Sequence, residues 1–127
     1  MNDRTNGLLA GLRVLVVEDE HLVALALADD LEDAGAVVVG PAFSLEAAQE
    51  WVVRGGFDAA VLDIRLQSQL IFPVARMLVE RAVPFLFTTG FDGGIVPAEY
   101  AHVPKCEKPV NPLTVIETLA RLARGAA

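Results

Sequence analysis

Short apolar runs alternate with amphipathic segments along most of the chain. The runs are rich in Val, Leu, Ala and Phe and alternate little between apolar and polar residues, which is typical of strands buried on both faces. The predicted strands are Arg13–Val17, Ala36–Gly40, Ala59–Asp63, Pro84–Thr88 and a short fifth strand near Lys105–Glu107.

The segments between these runs carry apolar residues at helical spacing. Ser44 is a suitable N-cap, and Pro73 lies where a helix tolerates proline, near the first turn. Leu22 and Leu25 widen the apolar stripe of the first helix, so we expect that stripe to pack in the core. The predicted helices are Glu20–Ala34, Leu45–Arg54, one that includes Pro73, and a last helix from Asn111 or Pro112 to about Arg124.

The segment Thr89–Pro104 interrupts this regular alternation. Gly93 and Gly94 together lower helix propensity by about 2 kcal/mol relative to alanine, and Pro97 inside a helix costs about 3 kcal/mol. The helix expected after the fourth strand should therefore be short or irregular. The order of elements predicts an α/β domain with a doubly wound parallel sheet over residues 12–124, between an N-terminal tail, 1–11, and a C-terminal tail, 125–127.

Composition excludes several classes of function. The chain has 127 residues, a length that suits one domain, and its net charge of −7 argues against binding to nucleic acid or to an anionic membrane. Its single cysteine, Cys106, cannot form an internal disulfide or a zinc cluster. No apolar run reaches the length of a membrane span, and the first residues lack the apolar region of a signal peptide. We therefore expect a cytoplasmic protein.

Charged and hydroxyl side chains lie at or just beyond the ends of four predicted strands. In an open parallel sheet these ends meet at one edge, where ligands bind. Hard carboxylate oxygens suit Mg²⁺, a lysine can pair with phosphate or carboxylate, and an aspartate beside both can act as a nucleophile toward phosphorus. The residues expected to converge are Glu18, Asp19, Asp63, Thr88 or Thr89, and Lys108.

The stretches VVEDE, VLDIRL, FTTGF and EKP, taken in this order and spacing, resemble the receiver domain of bacterial two-component response regulators. The resemblance implies a flavodoxin-like fold with strand order 2-1-3-4-5. It implies that Asp63 accepts the phosphoryl group. It also implies that Glu18, Asp19, Asp63 and the backbone carbonyl of Arg65 hold Mg²⁺.

The same resemblance assigns roles to the remaining site residues. Thr89 would be the switch hydroxyl, with Thr88 as the competing candidate, and Lys108 would pair with the phosphoryl group. Pro109 would follow a cis peptide bond and shape the next loop. Where typical receivers carry an aromatic switch residue, this chain has Lys105, which we expect to face solvent.

The stretch PFLFTTGFD is similar to the motif of a single-domain receiver subgroup called FAT GUY, with Phe91 in place of its tyrosine. The function predicted on this basis is a response regulator, not an enzyme acting on other substrates. It would take a phosphoryl group from a histidine kinase or a histidine phosphotransfer protein. It would then signal through contact with an unknown downstream protein or through phosphate relay, as a monomer or weak homodimer.

Two alternatives remain open at the level of the sequence. The first is a receiver fold that binds its partner independently of phosphorylation, since the aromatic switch residue is absent. The second is a phosphohydrolase with an aspartyl nucleophile, although such enzymes of the haloacid dehalogenase type carry a second aspartate where this chain has Arg65.

Overall fold

Five of the apolar runs form the strands of one parallel sheet, and helices cover both of its faces. The computed structural model describes residues 5–90 and 95–125. Its elements are β1 (Arg13–Val17), α1 (His21–Asp33), β2 (Val37–Ala42), α2 (Leu45–Arg54), β3 (Ala59–Asp63), β4 (Arg65–Leu66), β5 (Gln69–Leu70), α3 (Phe72–Glu80), β6 (Phe85–Thr89), a 3-10 helix (Ala98–Tyr100), β7 (Lys105–Glu107) and α4 (Pro112–Ala123).

The sheet has the order β2-β1-β3-β6-β7, and its neighbouring strands are all parallel. Counting only these five strands along the chain, the order is 2-1-3-4-5, so the predicted flavodoxin-like fold is confirmed. The chain reverses its direction of winding between β1 and β3, which is where ligands bind in folds of this class.

Successive strand residues face opposite sides of the sheet, and each side packs into a separate core. On the side of α2 and α3 lie Leu15, Leu62 and Phe87, with Val74 and Leu78 of α3. The core on the other side joins the strands to α1 and α4, and its largest members include Val14, Val16, Leu31, Leu86 and Leu119. Burial on both faces explains why the strand sequences show so little alternation.

The second strand extends two residues beyond its predicted end at Gly40. It continues through Pro41, which the sheet tolerates because β2 is an edge strand. Gly40 has a φ of 87°, and a Cβ atom there would lie 2.8 Å from the backbone nitrogen of Ala42. Glycine is therefore required for the irregular register with β1 at this point.

Helix α1 buries a narrower stripe than its sequence suggests. Its buried residues are Ala24, Leu27, Ala28 and Leu31. Leu22 is 83% exposed and Leu25 is 50% exposed, so the expectation that both pack in the core is wrong. Two of these four buried residues are alanines, while the larger Leu22 and Leu25 of the first turns remain in solvent.

The segment before β1 belongs to the folded unit from Thr5 onward. Leu9 is only 2% exposed and packs in the core between the sheet, α1 and α4. The backbone nitrogen of Leu9 donates to the carbonyl of Ala34 at 2.9 Å, and that of Gly11 donates to Gly35 at 3.1 Å. The prediction of a loose tail over 1–11 is therefore corrected for residues 5–11, because one leucine anchors them to the end of α1.

Two connections bear on the site. The loop between β3 and α3 contains the short antiparallel pair β4 and β5. The segment from Ile95 to Pro104 contains the 3-10 helix Ala98–Tyr100, in agreement with the predicted irregular helix, whereas Phe91, Gly93 and Gly94 lie outside the described residues. None of the helices in the described ranges combines the length and apolarity needed to cross a bilayer.

Candidate functional site

Three carboxylates meet at the carboxyl edge of the sheet. Glu18 and Asp19 follow β1 directly, and Asp63 is the last residue of the neighbouring strand β3. The side chains of Glu18 and Asp63 are almost fully buried, while that of Asp19 is half-buried. Each of the three offers an oxygen within 4.8 Å of the others. Such a concentration of like charge requires a positive partner.

Lys108 supplies positive charge to the cluster. Its Nζ lies 2.9 Å from Oε2 of Glu18 and 2.9 Å from Oδ2 of Asp63. The backbone places this side chain accurately, because the amide of Lys108 donates to the carbonyl of Thr89 at 2.8 Å. Burial alone would lower the pKa of the Lys108 ammonium, but hydrogen bonds to Asp63 and Glu18, and their charges, outweigh burial and raise it.

The second oxygen of Glu18 is also occupied. The backbone amide of Glu20 donates to Oε1 of Glu18 at 3.1 Å. Glu20 itself is exposed and lies just before α1, so it belongs to the helix start rather than to the site, as its sequence position indicates.

The donor set fits a hard divalent cation. Three carboxylates at the ends of two adjacent strands offer only oxygen ligands. The two ion pairs of Lys108 involve Glu18 and Asp63 and do not include Asp19. Mg²⁺ prefers oxygen ligands and is commonly bound through one or two carboxylates. Arg65, whose backbone carbonyl is the fourth predicted ligand, opens β4 two residues after Asp63.

The two threonines at the end of β6 have different surroundings. Thr88 lines a cavity of about 520 Å³ together with Glu18 and Lys108. Thr89 is buried, and among the described residues its Oγ1 has no hydrogen-bond partner. A buried hydroxyl without a partner is costly, so it points to a group that arrives during function. The unpartnered hydroxyl distinguishes Thr89 from Thr88, and the role of switch residue stays a prediction for Thr89.

Lys105 and Pro109 flank the lysine of the site. Lys105 is exposed, and its Nζ donates to the carbonyls of Val103 at 2.9 Å, Ala101 at 3.4 Å and Tyr100 at 3.5 Å. Its ammonium thus binds the end of the 3-10 helix instead of standing free in solvent. The peptide bond between Lys108 and Pro109 is cis, as the resemblance implies.

Known structures share this fold over nearly the whole chain. A response regulator receiver protein from Sinorhizobium medicae WSM419 is 26% identical, with a TM-score of 0.78 over 94% of this chain and 99% of that one. SdrG from Sphingomonas melonis Fr1 is 36% identical, with a TM-score of 0.78 over 88% of this chain and 96% of that one. The chain belongs to the response regulator receiver family.

The BeF3-activated conformation of SdrG from Pseudomonas melonis Fr1 also matches this receiver, at 36% identity and a TM-score of 0.74 over 90% of this chain and 98% of that one. No protein-family model matches the chain, and neither does any curated protein sequence. The family assignment therefore depends on sequence identity to solved receivers together with the shared fold.

Membership of the receiver family agrees with the geometry of the predicted site residues. The fold brings Glu18, Asp19, Asp63 and Lys108 together. Thr89 is the last residue of β6, and Pro109 follows Lys108 in the connection between β7 and α4. Sequence analysis missed one contributor. The backbone amide of Gln67 donates to Oδ2 of Asp19 at 2.9 Å. Its side chain takes no part, so only the prediction of a hairpin after Asp63 could have indicated it.

Proposed function

We propose that this receiver is a cytoplasmic response regulator that accepts a phosphoryl group on Asp63. The observation that carries the proposal is the pair of 2.9 Å contacts from the Lys108 ammonium to Asp63 and Glu18, beside the half-buried Asp19. This arrangement provides a nucleophilic carboxylate, a fixed positive charge and two further oxygen ligands within a few ångströms.

In the proposed reaction a carboxylate oxygen of Asp63 attacks the phosphorus of a phosphohistidine on a histidine kinase or a histidine phosphotransfer protein. A phosphorus–oxygen bond forms, the phosphorus–nitrogen bond breaks, and the leaving imidazole takes up a proton. Mg²⁺, held by Glu18, Asp19 and Asp63 with the Arg65 carbonyl, would offset charge on the transferred group. Lys108 would move from the carboxylate pair to a phosphoryl oxygen, and Thr89 would donate its unpartnered hydroxyl.

We propose that the domain catalyses only its own phosphorylation and dephosphorylation and acts on no other substrate. The negative net charge of −7 favours output through contact with a downstream protein or through phosphate relay rather than through nucleic acid.

Mass spectrometry after incubation with phosphoramidate and Mg²⁺ tests this proposal. The wild type is expected to gain one phosphoryl group, and Asp63→Asn none. Asp33→Asn, which changes an exposed acid at the end of α1, is the matched control and should gain as the wild type does. A gain that survives Asp63→Asn, or no gain in the wild type, would refute the proposal.

A second candidate function is partner binding that does not depend on phosphorylation. It is favoured by Lys105, which occupies the position of the usual aromatic switch residue and donates to the preceding turn. A downstream partner that binds wild type and Asp63→Asn equally, with or without phosphodonor, would support this candidate.

A further inference from the structure

Asp19 is held in place by a backbone amide from a distant part of the chain. The N–H of Gln67 donates to Oδ2 of Asp19 at 2.9 Å, across 48 positions of sequence. A hydrogen bond to an ionised carboxylate is about twice as strong as one between neutral groups. The acceptor here, Asp19, is the least buried of the three acids.

The amide reaches Asp19 because Gln67 lies at the tip of a hairpin. Strands β4 and β5 pair Arg65 with Leu70 and Leu66 with Gln69. The base of the hairpin is closed by Ile71, whose nitrogen donates to the carbonyl of Ile64 at 2.9 Å.

The backbone at the tip has an uncommon conformation. Gln67 has a φ of 57°, in the left-handed region that non-glycine residues seldom adopt. The hairpin therefore depends on a specific turn geometry, and this geometry directs the Gln67 amide.

The hairpin also begins immediately after the phosphoacceptor. Asp63 ends β3, Ile64 follows, and Arg65, whose carbonyl is the predicted metal ligand, opens β4. One short unit of chain thus contains the phosphoacceptor, a predicted ligand and the amide that holds a second ligand.

We propose that the Gln67 amide positions Asp19 for the cation. It occupies one carboxylate oxygen and leaves the other for Mg²⁺, so that the hairpin tip and the metal share a single side chain. Gln67 is a positioning residue, because it acts through Asp19. The inference rests on the proposed function, since it requires Mg²⁺ at the acidic cluster.

Substituting the tip residue by valine separates this role from a general effect on the hairpin. A β-branched side chain disfavours the left-handed conformation, so Gln67→Val should turn the amide away from Asp19. Gln69→Val is the matched control, because the same substitution then falls on a strand position that suits valine. Gln67→Gly accepts the conformation and keeps the N–H, so it tests whether the side chain matters.

Titration of Mg²⁺ alone into each protein, followed by two-dimensional NMR of backbone amides, measures the effect. Gln67→Val is expected to bind Mg²⁺ about tenfold more weakly than wild type, because groups that orient a metal ligand typically contribute at least that factor. Gln69→Val and Gln67→Gly should bind as the wild type does. In the absence of Mg²⁺, the amide of residue 67 should be protected from exchange in all proteins but Gln67→Val.

A second altered protein distinguishes loss of the Gln67 N–H from misfolding of Gln67→Val. Replacing the peptide bond between Leu66 and Gln67 by an ester exchanges the N–H for an oxygen that cannot donate and keeps every side chain, and it should weaken Mg²⁺ binding as Gln67→Val does. Equal affinity of the ester protein and wild type would overturn the inference while leaving phosphorylation of Asp63 intact. Mg²⁺ binding that depends on the Gln67 amide, without phosphorylation of Asp63, would instead overturn only the proposed function. A wild type that binds no Mg²⁺ would overturn both.

Discussion

The ammonium of Lys108 lies 2.9 Å from Oδ2 of Asp63, although 45 positions separate the two residues in the sequence. The same ammonium lies 2.9 Å from Oε2 of Glu18. One cation therefore bridges two nearly buried carboxylates, whose negative charges would be costly at this place without a positive partner.

Replacing Lys108 by methionine should destabilise the protein in the absence of divalent cations. Two buried carboxylates would then lose their cation, and we expect a loss of about 2 kcal/mol in the free energy of unfolding, below the range for a fully buried pair. Mg²⁺ should stabilise the variant more than the wild type, because the negative charge it meets is greater. Urea unfolding with and without Mg²⁺ measures both effects, and equal stabilisation of the two proteins would contradict this account.

The raised pKa of Lys108 predicts how this stabilisation depends on pH. An ammonium whose pKa is higher in the folded state than in the unfolded state stabilises fully below the unfolded value, about 10.4 for lysine. Its contribution is lost as pH rises through the folded value. The difference in unfolding free energy between wild type and Lys108→Met should therefore be constant from about pH 8 to 10 and shrink above that range. A difference that grows above pH 10 would show that the sign is wrong.

Most of this site could be predicted from sequence because the order of the strands in the sheet determines which strand ends are neighbours. Because β1 and β3 are adjacent parallel strands, Glu18 and Asp63 lie at the same edge of the sheet. The contribution of Gln67 could not be predicted in the same way. It uses a backbone amide, which every residue other than proline possesses, and it depends on a turn conformation that the letters QSQ do not specify.

The unpartnered hydroxyl of Thr89 predicts an effect on stability opposite to that of most buried substitutions. Thr89→Val keeps the shape of the side chain and removes a buried hydroxyl that has no partner among the described residues, so we expect a gain of about 1 kcal/mol. Thr88→Val is the control, and no gain is expected, because Thr88 borders a cavity from which water can reach its hydroxyl. Urea midpoints compare the three proteins, and a destabilised Thr89→Val would contradict the prediction.

Strands that are buried on both faces could be predicted from the sequence, whereas segments held in place by a few individual contacts could not. Both faces of β3 and β6 are buried, and apolar runs identify such strands. Nothing in the periodicity of the first residues distinguishes Leu8 from Leu9, since the two are adjacent and equally apolar. Only the position of the carbonyls at the end of α1 decides which of them turns inward.

Adjacent leucines offer a direct test of this N-terminal packing. Leu9→Ala should lower the free energy of unfolding by about 3 kcal/mol, as expected for a buried leucine whose removal leaves a cavity. Leu8, which is 39% exposed, is the matched control, and Leu8→Ala should change stability by less than about 0.5 kcal/mol. Equal effects of the two substitutions in urea unfolding would show that the segment before β1 is not anchored through Leu9.

The contacts of Lys105 predict local rather than global consequences for its removal. Its ammonium donates to three carbonyls at the end of the 3-10 helix, where a positive charge is favoured, and it pairs with neither of the buried carboxylates Glu18 and Asp63 of the described chain. Lys105→Met should therefore raise amide hydrogen exchange about fivefold between Ala98 and Pro104, the equivalent of one net hydrogen bond, with little change in the urea midpoint. Lys105→Arg keeps the cation and should exchange much as the wild type does. Faster exchange spread over the whole sheet in Lys105→Met, or none in this segment, would mean that the side chain does not hold the turn.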